Sequence, residues 1–165
     1  ETPQNALGEL TKAGIRISKI HLSSALKATP NPENLKRLAS FQEEVYLHQV
    51  VVAEDGIVTH RHKDLDLALR HAASSPPQNN EQWRIHFHVP LHEAPGGALE
   101  DTRDHVEGTL DILAETPSLC KHLEMETYTW EVLPEELRTG DVVEQIAREY
   151  EWSLAEFEKR GLGKD

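Results

Sequence analysis

Cysteine is nearly absent. Cys120 is the single thiol, so the chain cannot close an intramolecular disulfide, and a reducing cytoplasm is the expected compartment. Basic residues are scarce beside acidic ones, 17 Lys and Arg against 29 Asp and Glu, for a formal net charge of -12. That balance, with no cluster of Lys or Arg, excludes a phosphate-binding surface, so no nucleic-acid partner is expected. Nor does any apolar run approach the roughly 20 residues that a membrane helix needs, and no signal peptide is visible. Disorder is excluded in turn, because 38% hydrophobic residues in a chain of 165 suffice for one domain with a core. What the chain does have is histidine, ten in all, many of them at predicted strand ends.

Turn and cap signals divide the chain. Residues 2–13 read as a helix, with Thr2 as its N-cap, Pro3 at the first helical position and Gly14 as its stop. Residues 15–22 alternate loosely as a strand, and Ser23 and Ser24 form its polar end. Asn31 and Pro32 open a helix over 31–41. Residues 45–52 read as a strong strand, and Asp55-Gly56 is a hairpin signal with Ile57, Val58 and Thr59 returning antiparallel. Asp64 caps a helix through about His71, taken as a plain surface residue. A polar loop over 74–82 precedes a strand at 83–89. A helix follows at 102–115 and a strand at 121–129. Asp141 caps a last long helix, with Val143, Ile146, Ala147, Tyr150, Leu154 and Phe157 at helical spacing. The chain opens on a helix-start pair without an initiator Met, as a cut inside a larger protein would leave it.

Strand starts near 16, 45, 83 and 121, separated by amphipathic helices, predict βαβ crossovers and a parallel sheet. Four such units make half of a (β/α)8 barrel, whose sites sit at the C-terminal strand ends. Ser23, Ser24, His48, Gln49, His88 and Glu126 all fall there.

The strand Trp83-Arg84-Ile85-His86-Phe87-His88-Val89 carries the strongest chemical signal. A strand repeats every two residues, so His86 and His88 share a face, which suits metal ligation or proton transfer; two buried, satisfied core histidines are the bland alternative. Glu124 and Glu126 share a face of the 121–129 strand. A carboxylate buried in a parallel strand must be paired or metal-bound, which singles out Glu126. His48 is a further candidate, His21 a weaker one, and Trp130 could line a sugar-sized pocket. Imidazole and carboxylate together suit Mn, Zn or Co, and carboxylates also Mg.

Four segments resemble a known family. Lys19-Ile20-His21-Leu22-Ser23-Ser24-Ala25-Leu26, Val45-Tyr46-Leu47-His48-Gln49-Val50, Arg84-Ile85-His86-Phe87-His88-Val89-Pro90 and the run from His122 to Pro134 are similar to the EboE-type metabolite traffic proteins. These belong with the xylose-isomerase-like TIM barrels of the sugar phosphate isomerase/epimerase group. The resemblance spans about residues 3–152. It implies a divalent metal at a barrel mouth, with Glu126 matching the last-strand glutamate and either His86 or His88 matching a histidine of the preceding strand. The family's upstream Glu-Pro and Asp-x-Cys-His motifs are missing, which implies a missing N-terminal half of the barrel as partner.

The expectation is therefore one unit, residues 1–165: the C-terminal half of a (β/α)8 TIM barrel with parallel strands and a long C-terminal helix. Its function would be metal-dependent isomerisation or epimerisation of a sugar or polyol metabolite. Glu126 and His88 would be catalytic, Glu126, His86 and His88 metal ligands, and His48, Gln49 and Trp130 substrate contacts. The alternative is a non-catalytic metabolite-binding barrel in an export pathway. Residues 45–89 could instead be an insertion over the mouth. Half a barrel leaves two open edges, so such a chain should self-associate.

Overall fold

The computed structural model describes residues 2–126, 130–135, 138 and 140–163. Helix α1 (Pro3–Lys12) begins where Thr2 Oγ1 accepts from the Asn5 amide. The chain then enters β1 (Ile20–Leu22), passes through Ser23 alone, and continues as β2 (Ser24–Ala28). Helix α2 (Pro32–Leu38) follows its Asn31 cap and tightens into a 3-10 turn, Ala39–Phe41. Strands β3 (Val50–Glu54) and β4 (Ile57–His62) form a hairpin turning on Asp55 and Gly56, whose φ angles of 49° and 81° suit the aspartate–glycine pair. Helix α3 (Leu65–Ser74) leads to β5 (Glu81–Val89), β6 (Glu100–Asp101), α4 (Arg103–Glu115), β7 (Leu123–Met125) and α5 (Val142–Lys159).

Among the described residues the strands make two sheets. One has five strands in the order β4-β3-β5-β2-β6, every neighbouring pair antiparallel; the other is the parallel pair β1-β7. This overturns the half-barrel. The predicted strands near 45 and 83 are antiparallel neighbours, Val50 opposite Ile85, and only those near 16 and 121 pair in parallel, over three residue positions. The cause is an extra reversal. The β3–β4 hairpin inserts one strand between α2 and α3, so α3 joins β4 to β5 across β3. Likewise α2 joins β2 to β3, which point the same way because each runs antiparallel to the β5 between them. Helices do alternate with strands, but no two strands joined by a helix lie side by side within this sheet. With the barrel goes the ground for expecting a complementary half-barrel as partner.

Boundaries shift for local reasons. Residues 45–49 are not strand, and Val45 is 71% exposed; the ladder to β5 starts only at Val50. Ser24 is no strand end but the buried first residue of β2. The strand expected over 121–129 is observed for Leu123–Met125, and residues 127–129 lie outside the described ones.

Two cores result. The larger holds Leu26, Val50, Val52, Trp83, Ile85, Phe87 and Val89 from one face of the five-stranded sheet, under Leu38 and Phe41 and under Leu65 and Ala68 of α3. The smaller gathers Leu22, Leu91, Val106, Leu110, Leu113 and Cys120 between the parallel pair, α4 and α5. Among the described residues no helix is long and apolar enough to cross a membrane.

Candidate functional site

The second face of the five-stranded sheet is polar. Because side chains alternate along a strand, β5 turns Trp83, Ile85 and Phe87 into the core and Arg84, His86 and His88 to the other side. Gln49, just before β3, adjoins His86, whose amide donates to the Gln49 carbonyl at 2.8 Å. Ser23, between β1 and β2, reaches the same face beside His88.

Four side chains there form one hydrogen-bonded line. Ser23 Oγ lies 2.8 Å from His88 Nδ1, His88 Nε2 lies 3.0 Å from His86 Nε2, and His86 Nδ1 lies 2.8 Å from Gln49 Oε1. The polarity follows from the Gln49 end. An amide oxygen only accepts, so His86 Nδ1 carries the proton; neutral His86 then accepts at Nε2, His88 donates at Nε2, and the Ser23 hydroxyl donates to His88 Nδ1. The line can also run in reverse. The Gln49 amide then turns its NH2 to His86 Nδ1, His86 Nε2–H donates to His88 Nε2, and His88 Nδ1–H donates to Ser23 Oγ at 2.8 Å, with the Glu126 carbonyl oxygen 3.5 Å away. Two charged rings would set two N–H groups against each other across 3.0 Å. Burial is the main cause that lowers the His88 pKa below the usual 6.5; the nearby Glu126 carboxylate opposes it, and the His86 ring adds to it.

The exposed end of the line opens on a concavity of about 410 Å³ lined by Ala25, Gln49, Arg84, His86, Thr102 and His105, among others. There the Arg84 Nη1–H donates to His105 Nε2 at 3.0 Å, so His105 is neutral at that nitrogen. Burial, then the Arg84 charge, lowers the His105 pKa.

The expected site residues are only partly brought together. His86, His88 and Gln49 stand in one chain. His48 is 2% exposed, its ring 4.7 Å from Phe87, with Nδ1 donating to the His86 carbonyl oxygen at 3.1 Å and Nε2 beside Glu43 Oε1 at 2.9 Å. It supports β5 from the core side and does not line the concavity. Trp130 packs against the larger core, under the Arg138 guanidinium, 5.8 Å from its ring centre. Glu126 turns its carboxylate to His21 Nδ1 at 3.4 Å, and Glu124 meets His21 Nε2 at 3.5 Å and Lys19 Nζ at 3.0 Å. Neither carboxylate is buried, because a two-stranded sheet leaves them at its surface. Tyr128, on the same expected strand, lies outside the described residues.

A bound cation does not fit His86, His88 and Glu126 as arranged. The two Nε2 atoms face each other, both Nδ1 atoms are engaged, and the carboxylate points to His21. Among the described residues no three His, Cys, Asp or Glu side chains stand ready at ligand positions. Sequence reasoning passed over Arg84 and His105. The period-2 argument that joined His86 to His88 also covers Arg84; His105 is placed only by the packing of α4 against β2.

Comparison with protein-family models, with curated proteins and with solved structures finds no match to this chain, so function has to be argued from the site itself.

Proposed function

We propose that the chain performs acid–base proton transfer on a small polar metabolite, with a sugar or polyol as substrate class and isomerisation or epimerisation as reaction. The observation that carries this reading is the Ser23–His88–His86–Gln49 line ending at an open concavity beside Arg84.

His86 is the catalytic residue, since it alone of the pair lines the concavity. In the reverse polarity its Nδ1 holds a lone pair, and a substrate hydroxyl that displaces the Gln49 amide brings a C–H next to a carbonyl within reach. His86 takes that proton and returns it to the neighbouring carbon, as the hydroxyl proton passes to the former carbonyl oxygen. Behind it, His88 accepts the Nε2–H bond and keeps the ring oriented, as the second partner of a catalytic base does. The Arg84 guanidinium stabilises the charge that develops on the carbonyl oxygen, a role in which no metal is needed.

Solvent exchange tests the proposal. Incubated in D2O with a panel of aldoses, ketoses, their phosphates and polyols, the protein should introduce deuterium next to the carbonyl of at least one, detected by mass spectrometry. His86→Ala should lower that rate by roughly 10²-fold or more. Saturable binding of a metabolite with no deuterium incorporation would favour the non-catalytic binding reading, and exchange unaffected by His86→Ala would refute the role of His86.

A further inference from the structure

Away from that concavity, three more histidines converge. His60 and His62 occupy alternate positions of the edge strand β4 and so share a face; His71 stands on α3, which packs beside that strand. Their ring centres are 5.2 Å apart for His62 and His71, 5.4 Å for His60 and His71, and 6.3 Å for His60 and His62. With Glu54 and Glu81, all three line a hollow of about 170 Å³.

We propose that His60, His62 and His71 form a binding site for one borderline divalent transition metal ion, of the Zn, Ni or Cu class. As they stand the three rings do not form a ligand set, so binding requires them to turn, and their spacing allows it. Two imidazoles on one tetrahedral ion at about 2.0–2.1 Å have ring centres about 5 Å apart. Two of the three separations already meet that figure, and the third must close by about 1 Å. His60 and His71 are exposed, so their rings can turn, and the terminal torsion of histidine is soft. Ring nitrogens in this cluster make no hydrogen bond to a described residue, unlike those of His86 and His88. Imidazole donors select this class over Mg or Ca, and Glu54 and Glu81 add the negative field that draws a cation in. A simple surface patch would explain surface histidines, but not their convergence from a strand and a helix on one hollow.

This site is independent of the proton-transfer reading. Calorimetric titration of the full chain with NiCl2, and separately ZnCl2, at pH 7.5 should show one ion per chain and a raised melting temperature, because the ion ties β4 to α3. His60→Ala, His62→Ala and His71→Ala should each weaken binding by about tenfold or more. His86→Ala and His88→Ala should leave it intact. The proposal is overturned if no ion binds, if any of the first three variants weakens binding less than threefold while circular dichroism shows it folded, or if binding is instead lost in the His86 or His88 variant.

Discussion

The two cores of this molecule bury their surfaces by different rules. In the five-stranded sheet, apolar and polar residues alternate along β5, and burial follows: Ile85 and Phe87 are fully enclosed, while His86 on the other face is exposed. Around the parallel pair the rule inverts. Helix α5 buries Gln145, Glu149, Ser153 and Glu156, and leaves Val143, Tyr150 and Leu154 at 69%, 49% and 59% exposure. Among the described residues, the buried Gln145 Oε1 and Ser153 Oγ atoms there have no hydrogen-bond partner, and Glu149 accepts a 3.4 Å bond from the Leu91 amide. A sheet with cross-strand neighbours on both sides dictates which face turns inward. A helix held by a three-residue parallel pair and one neighbouring helix is oriented by the contacts available to it, whatever its own apolar stripe.

The largest test of this contrast is Phe87→Ala. Phe87 is fully buried with Phe41 edge-on at 5.1 Å, and its truncation should cost about 3–5 kcal/mol in urea unfolding. Leu154→Ala, a change of comparable chemistry on α5, should stay within about 0.5 kcal/mol. Equal losses would break the comparison, by showing that the α5 stripe is buried in solution.

Next comes Glu149, whose carboxyl is pushed up to about 7, chiefly by burial. The folded state therefore binds a proton more tightly than the unfolded one, so the contribution is complete below about pH 4.5 and is lost as pH rises through about 7. A shift of that size corresponds to a loss on the order of 3 kcal/mol at most. Glu149→Gln, neutral at every pH, should raise the melting temperature at pH 8 relative to wild type and leave it nearly unchanged at pH 4.5. A wild-type carboxyl titrating near 4.5 by carbon NMR would sink this prediction.

The sheet side should respond with the opposite sign. The His88 pKa is lowered, mainly by burial, so its folded form resists protonation. Stability should be full above the ordinary value of 6.5 and should fall as pH drops through 6.5 toward the lowered folded value. His88→Gln should make this acid-side decline shallower in pH-dependent melts. A decline of unchanged steepness would assign it to other groups, such as His92 and His105, whose pKa values are also lowered by burial.

Much of the local structure was readable from residues. Thr2, Asn31, Asp64 and Asp141 each cap the helix that their identity announced, because a short polar side chain reaches an orphan amide without help from the rest of the fold. Asp55-Gly56 likewise specified its hairpin. The strand at 83–89 and the shared face of His86 and His88 followed from a period of two. Strand pairing did not follow, since a strand–helix–strand rhythm is the same whether the joined strands lie adjacent or straddle a third. The site suffered accordingly. His86 and His88 do share a face, but Gln49 was expected as a substrate contact rather than as a neighbour of His86, Glu126 was assigned to the histidines through a barrel mouth that does not exist here, and His105 depended on helix packing.

By itself, then, the sequence determined the elements that short-range chemistry controls: caps, the hairpin, the alternation of β5 and the single-faced histidine pair. Tertiary structure decided the rest. It set β5 between β2 and β3, turned the polar side of α5 inward, and brought Ser23 and Gln49 to the two ends of the histidine pair. Those outcomes depend on contacts between residues tens of positions apart, where no local pattern distinguishes one partner from another.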